Sequence, residues 1–146
     1  MVANILNCLV QFEPAHRQFY KKNAGAYQRR LQKLDHQFQR SFSDLKNRSF
    51  LVFHPGWAYF AADYGLKEVA IEIAGKEPRA RELAEIIETA KKEKVRVIFV
   101  SPQFSQKAAR VIGEQLKLQV VEVDNLSEHY LESVDYFGRK LLQCLK

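Results

Sequence analysis

The sequence predicts an α/β fold in which one long N-terminal helix is followed by a four-stranded parallel sheet with helices on both faces. Apolar residues between positions 13 and 46 recur at steps of three, four or seven, which is typical of an amphipathic helix. After residue 47, short apolar runs alternate with amphipathic segments in the order β-α-β-α-β-α-β-α. Such alternation indicates right-handed crossovers between parallel strands. A chain of 146 residues, 47% of them hydrophobic, can bury the core that this fold needs.

The predicted helix over residues 13–46 is longer than the domain that it would support. Pro14 suits its first turn, and no other proline interrupts it. About 30 residues at 1.5 Å each give a length of about 45 Å, which exceeds the diameter of a domain of this size. We therefore expect its N-terminal half to have little to pack against within the chain. Its apolar stripe consists of Tyr20, Tyr27, Leu31, Leu34, Phe38, Phe42 and Leu45.

Prolines and glycines separate the later elements from one another. The run over residues 95–100, which is rich in the β-branched residues Val and Ile, is typical of a strand that is buried on both faces. The pattern predicts strands over residues 49–53, 68–73, 95–100 and 119–123. It predicts helices over residues 57–64, 79–94, 105–115 and 127–145.

The net charge of +6 invites a nucleic-acid interpretation, but the distribution of the charge argues against one. Residues 1–50 hold nine Lys and Arg residues and three Asp and Glu residues, so the whole excess lies there. No RNP, zinc-finger or helix-turn-helix signature accompanies it. A solvated helix face is the simpler explanation, and a nucleic-acid-binding module that uses the basic helix stays the alternative.

Other function classes lack their signatures in this sequence. No apolar run reaches the ~18 residues that a membrane-spanning helix needs. No GxSxG elbow, P-loop or GxGxxG motif is present, so the sequence does not indicate an enzyme. Cys8 and Cys144 are too few for a disulfide framework or a Cys-rich zinc site.

Polar and titratable residues lie at the ends of the four predicted strands. His54 follows the first strand, Glu72 and Glu77 lie at the end of the second, Ser101 follows the third and Asp124 follows the fourth. Because the carboxyl ends of parallel strands meet at one edge of a sheet, where ligands bind, we expect these side chains to lie near one another. A histidine and a carboxylate at one edge form half of a metal site.

Each of these residues also has a simpler interpretation. A single histidine before Pro55-Gly56 is often a loop or core residue. Asp124 suits a cap for the last helix, and Glu72 and Glu77 suit solvent-facing strand ends.

Several motifs occur in a fixed order along the chain: FLVFHPGWAYFAADYGL at 50–66, IEIAGKEP at 71–78, IFVSPQF at 98–104, VEVD at 121–124 and the closing helix. In this order they resemble segments of the zinc-type solute-binding proteins of metal ABC importers, the helical-backbone metal receptors. The region around Glu13-Pro14, Tyr20 and Tyr27 is similar to the long linking helix of that family, so the resemblance covers nearly the whole chain.

The resemblance implies two α/β lobes, joined by one long helix, that hold the metal between them. Residues 1–47 would be the inter-lobe backbone helix and residues 48–146 the C-terminal lobe, with the N-terminal lobe and the signal peptide outside this chain. His54 falls on the histidine-ligand position of the C-terminal lobe, and Asp124 falls on a carboxylate position that is a ligand in some members. Glu72, Glu77 and Ser101 would lie at the rim of the cleft or behind the ligands, and Ser101 stands where the family usually shows glutamate.

The function that the resemblance implies is capture of Zn²⁺ in the periplasm or at the cell surface and delivery to an ABC permease in the membrane. A histidine at position 54 favours zinc over manganese, because Mn²⁺ prefers more oxygen ligands. A manganese or iron receptor of the same family stays the alternative. We also expect the apolar surface of residues 1–30, with no second lobe to cover it, to drive self-association.

Overall fold

The computed structural model describes residues 1–72, 76, 78–104 and 106–146. Its elements confirm the predicted order, a long helix followed by strands that alternate with helices. None of the described helices is both long enough and apolar enough to cross a membrane. The strands are β1 (Ser49–Val52), β2 (Lys67–Ala70), β3 (Val97–Val100) and β4 (Gln119–Glu122). The helices are α1 (Val2–Phe12), α2 (Arg17–Phe42), α3 (Ala58–Asp63), α4 (Ala80–Lys92), α5 (Lys107–Leu116) and α6 (Tyr130–Leu145), with a 3₁₀ turn over Pro14–His16.

The chain divides into two compact units, Met1–Arg40 and Ser41–Lys146. The division falls within α2, and the boundary between residues 47 and 48 that the resemblance implies stays a prediction. Arg48 explains why the last turn of α2 groups with the sheet. Its guanidinium donates hydrogen bonds to the carbonyls of Phe42 and Ser43 (3.2 and 3.0 Å) and also to those of Tyr64 and Gly65 (3.2 and 3.3 Å).

Within the first unit, the helix predicted over residues 13–46 begins at Arg17, and a 3₁₀ turn and a separate helix precede it. Glu13 ends α1 in a non-helical conformation (φ −133°, ψ 75°), and Pro14, which has no N–H to donate, begins the 3₁₀ turn. The Glu13 carboxylate accepts a hydrogen bond from the Tyr20 hydroxyl and lies 3.2 Å from Nδ1 of His16. The bond from Tyr20 lowers the pKa of Glu13. The break therefore has its own stabilising contacts, and α1 is a separate helix that the periodicity did not predict.

The α1 helix has no buried residue. Its apolar side chains include Ile5, Leu9 and Phe12, which are 54%, 41% and 90% exposed. Self-association through residues 1–30 stays a prediction.

The second unit is built on a parallel sheet with strand order β2-β1-β3-β4. Every residue of β3 is buried, as the run at positions 95–100 predicted, and every residue of β1 is buried as well. Leu51 and Ile98 pack in one core with Ile86, Ile87 and Ala90 of α4 and with Ala109 and Ile112 of α5. The neighbouring side chains Phe50 and Phe99 point to the opposite face, because successive side chains of a strand alternate. Helices on both faces of the sheet are thus confirmed.

An aromatic cluster fills the second face and centres on Phe137 of α6. Trp57 stacks on Phe137 with ring centroids 3.7 Å apart and an interplanar angle of 17°. Phe50, Phe99 and Phe60 surround the same ring at 5.7, 4.7 and 5.2 Å. Because Trp57 lies just after the Pro55-Gly56 turn, this cluster fixes the loop that follows β1.

We expect the substitution Phe137→Ala to lower the free energy of unfolding by about 3–5 kcal/mol, because it leaves a cavity among four aromatic rings. Phe137 is 0% exposed. Urea unfolding followed by circular dichroism measures the loss. Tyr136→Ala is the matched control, since the neighbouring ring is 40% exposed and contacts the Lys140 ammonium at 5.5 Å. It should cost no more than about 1 kcal/mol, and equal losses in the two variants would contradict this account of the core.

Candidate metal centre

Backbone pairing continues one step beyond the strand ends and sets the positions of the predicted site residues. The Phe53 N–H donates to the Phe99 carbonyl at 2.9 Å, and the Val123 N–H donates to the Val100 carbonyl at 2.8 Å. The Glu72 N–H likewise donates to the Phe53 carbonyl at 2.9 Å.

The residues that come next in the chain therefore lie at one edge of the sheet. Given the strand order, Glu72 flanks His54 on one side, and Ser101 lies between His54 and Asp124. The structure brings these four predicted residues to a common edge. Glu77, also predicted for this rim, lies outside the described residues.

The imidazole of His54 is held by two partners. Its Nδ1 lies 3.0 Å from Oε2 of Glu72, whose side chain is only 7% exposed, and its ring stacks on Phe104 with centroids 4.3 Å apart. An ionised carboxylate only accepts hydrogen bonds, so in this contact Nδ1 is the donor, and in a neutral imidazole Nε2 then keeps its lone pair. Metal-ligating histidines show this arrangement, because the carboxylate fixes the tautomer and increases the basicity of the ligand nitrogen.

The loop after His54 is fixed by contacts that the sequence did not reveal. Oε1 of Glu68 accepts hydrogen bonds from the backbone N–H groups of Gly56 and Trp57, at 3.1 and 2.9 Å. A Cβ on Gly56 would lie 2.5 Å from Nδ2 of Asn125. A larger residue at position 56 would therefore displace the amide of Asn125, whose Oδ1 accepts a hydrogen bond from Ser101.

The carboxylate of Asp124 uses one oxygen for structure. Oδ1 accepts hydrogen bonds from Nε2 of Gln103 at 2.7 Å and from the Leu126 N–H at 2.9 Å. Oδ2 accepts no hydrogen bond from any residue that the structure describes. The α6 helix begins at Tyr130, so the Asp124 carboxylate does not cap it, although the Asp124 carbonyl accepts a hydrogen bond from the Ser133 hydroxyl.

Ser101 joins the ends of β3 and β4. It is 8% exposed, and its hydroxyl donates to Oδ1 of Asn125 at 2.8 Å. This bond occupies the hydroxyl with a neighbouring amide and explains why a small polar residue fits at position 101.

Two cavities open at this edge of the sheet. One, of about 10 Å³, is lined by His54, Ser101, Trp57 and Asn125 among others, and its volume suits about one water molecule or ion. The second, of about 200 Å³, is lined by Asp124 and shares Trp57 and Asn125 with the first. His54 and Asp124 thus line neighbouring cavities.

The described residues contain no group of three or more His, Cys, Asp or Glu side chains that could hold a metal ion. Cys8 and Cys144 are free thiols. Burial raises the pKa of the Cys144 thiol, which disfavours the thiolate that a metal would require. Of the two predicted ligands, His54 presents Nε2 and Asp124 presents Oδ2 at this edge.

Three residues at this edge were missed as site residues, namely Glu68, Phe104 and Asn125, and Gln103, which the sequence places at the end of the third strand, was assigned no role. Gln103 and Phe104 stand in the SPQF motif, so their sequence position was a usable signal. Glu68 and Asn125 gave no such signal, because their roles depend on loops that are distant in sequence.

Comparison with known proteins identifies the family. The family described as "ZnuA: Zinc-uptake complex component A periplasmic" matches residues 1–142. The zinc-binding lipoprotein AdcA of Streptococcus pneumoniae is 36% identical over 117 residues, which are 79% of this chain and 23% of that protein. The zinc-binding protein AdcA of Streptococcus pyogenes is 30% identical over 154 aligned positions, covering 100% of this chain and 30% of that protein.

Solved structures agree with the sequence matches. The crystal structure of ZnuA superimposes with a TM-score of 0.93 at 32% identity, covering 99% of this chain and 55% of that one. A Zn(II)-bound mutant variant of AdcAII from Streptococcus pneumoniae gives a TM-score of 0.87 at 27% identity, covering 99% and 56%. This chain spans less than a third of the length of the two AdcA proteins and a little over half of the solved chains. The resemblance found in the sequence is confirmed, and the chain belongs to the ZnuA family of periplasmic zinc-uptake components.

Proposed function

We propose that this chain is the C-terminal metal-binding lobe of an extracytoplasmic receptor that captures Zn²⁺ and delivers it to an ABC importer. The relatives are described as zinc-binding proteins and as a component of a zinc-uptake complex, which supports zinc as the cargo. The observation that carries the proposal is the hydrogen bond between Glu72 and His54, because it leaves Nε2 of a neutral imidazole available as a ligand.

His54 and Asp124 are the two ligands that we assign to this chain. Zinc is held in four-coordinate sites by imidazole nitrogen and carboxylate oxygen, and both donors lie at the same edge of the sheet. Two protein donors leave two positions on the metal. We assign these to water or to donors on a second lobe, as the resemblance to two-lobed receptors implies.

Binding of this kind suits a transport receptor. A site completed by two lobes releases its metal when the lobes separate, because each lobe alone supplies too few donors for tight binding. Glu72 and Phe104 keep the His54 ring oriented in the separated lobe, so that recapture needs no rearrangement of this ligand. A manganese receptor stays the alternative, since Mn²⁺ also accepts imidazole and carboxylate ligands.

We expect His54→Ala to reduce the affinity of the 146-residue chain for Zn²⁺ by more than about tenfold. Loss of a residue that only hydrogen-bonds a ligand already costs about that much, and this substitution removes the ligand itself. Isothermal titration calorimetry measures the change. His129→Ala is the matched control, since its side chain is 77% exposed and lies at the start of α6. Equal affinities for the wild type and the His54 variant would refute the assignment.

The substitution Glu72→Gln tests the partner of His54 separately. It preserves the size of the side chain but removes the charge that orients and polarises the imidazole. We expect the affinity for Zn²⁺ to fall by about 10–100-fold while the urea midpoint changes little. If instead the midpoint falls and the zinc affinity of the folded fraction is unchanged, Glu72 serves stability alone.

A further inference from the structure

The two oxygens of the Asp124 carboxylate are in unequal environments. Each carboxylate oxygen offers about two lone-pair positions. Both positions on Oδ1 are used, one by the Gln103 amide at 2.7 Å and one by the Leu126 N–H at 2.9 Å. The described residues donate nothing to Oδ2. A metal that binds Asp124 therefore meets one open oxygen.

Gln103 belongs to a short loop that contacts both assigned ligands. This loop follows β3, and its next residue, Phe104, stacks on the His54 ring. Gln103 is exposed and makes its hydrogen bond across 21 positions of sequence. This hydrogen bond to Asp124 therefore lies at the protein surface and contributes little to the packing of the core.

The number of carboxylate oxygens that bind a metal affects which metal is preferred. Four-coordinate zinc is satisfied by one oxygen from each carboxylate. Larger cations with more ligands, such as Ca²⁺, often take both oxygens, and Mn²⁺ also favours oxygen-rich, higher-coordinate sites. Hydrogen bonds that occupy Oδ1 therefore lower the affinity for Mn²⁺ more than the affinity for Zn²⁺.

We propose that Gln103 is a specificity-determining residue that holds Asp124 in a one-oxygen binding mode and so favours Zn²⁺ over Mn²⁺. This inference rests on the proposed function, in which Asp124 is a ligand. Gln103 is a positioning residue, because it acts on the metal through Asp124. The Leu126 N–H, which belongs to the backbone, supplies the second bond and cannot be removed by a side-chain substitution.

The test compares Gln103→Leu with Gln106→Leu in the 146-residue chain. Gln106 offers a matched control, because it lies three residues further along the chain and its Nε2 also donates to a carboxylate, Oε2 of Glu122, at 2.8 Å. Glu122 is not an assigned ligand. Calorimetry gives the affinity for Zn²⁺, and electron paramagnetic resonance gives the affinity for Mn²⁺. Water-proton relaxation gives the number of water molecules that remain on bound Mn²⁺.

We expect Gln103→Leu to lower the ratio of Zn²⁺ to Mn²⁺ affinity about tenfold, at the lower end of the effects of outer partners on metal sites. Bound Mn²⁺ should lose one further water molecule, because Oδ1 can then replace it. A purely structural role would weaken both metals alike and leave the water number unchanged. That result, or an equal change in Gln106→Leu, would overturn the inference.

Two further variants separate this inference from the proposed function. If His54→Ala and Asp124→Asn both weaken Zn²⁺ binding but Gln103→Leu leaves the metal ratio unchanged, only the role of Gln103 is wrong. If neither His54→Ala nor Asp124→Asn affects Zn²⁺ binding, the assigned site is wrong, and the inference about Gln103 fails with it.

Discussion

Parallel pairing in the order β2-β1-β3-β4 is the constraint on which the candidate site depends. It places the residues after all four strands at one edge and makes the end of β2 the neighbour of the end of β1. Glu72 can therefore reach His54 although 18 positions separate them in the sequence. Asp124 reaches the same edge from the other side, with the β3 end between them. No local motif could assemble these donors, and the topology of the sheet does so directly.

The packing below this edge keeps the loops in place. Phe137 and Trp57 hold the start of α3 against one face of the sheet, and Glu68 holds the backbone between His54 and Trp57. The loops at the β3 and β4 ends are joined by the bonds from Ser101 to Asn125 and from Gln103 to Asp124. Rigid support of this kind lowers the entropic cost of binding, because the ligands are ordered before the metal arrives.

Much of this architecture was predictable from the sequence, because periodicity reports directly on burial. The run at positions 95–100 predicted a strand buried on both faces, and β3 is such a strand. The separate helix α1 was not predicted, because the amphipathic pattern was followed only from residue 13 onward. His54 and Asp124 could be singled out from their places after strands. Glu68 and Asn125 support the loops around this site through contacts between segments that are distant in sequence, so they gave no sequence signal.

The central claim is that Glu72 holds His54 with its proton on Nδ1, so that Nε2 is the nitrogen presented to the metal. Long-range ¹H–¹⁵N correlation spectra of the histidine rings test it most directly, because they distinguish the two ring nitrogens and the two tautomers. The account predicts an Nδ1-protonated His54 without metal and a shift of its Nε2 resonance on addition of Zn²⁺. An Nε2-protonated ring, or a His54 spectrum that Zn²⁺ leaves unchanged, would contradict it.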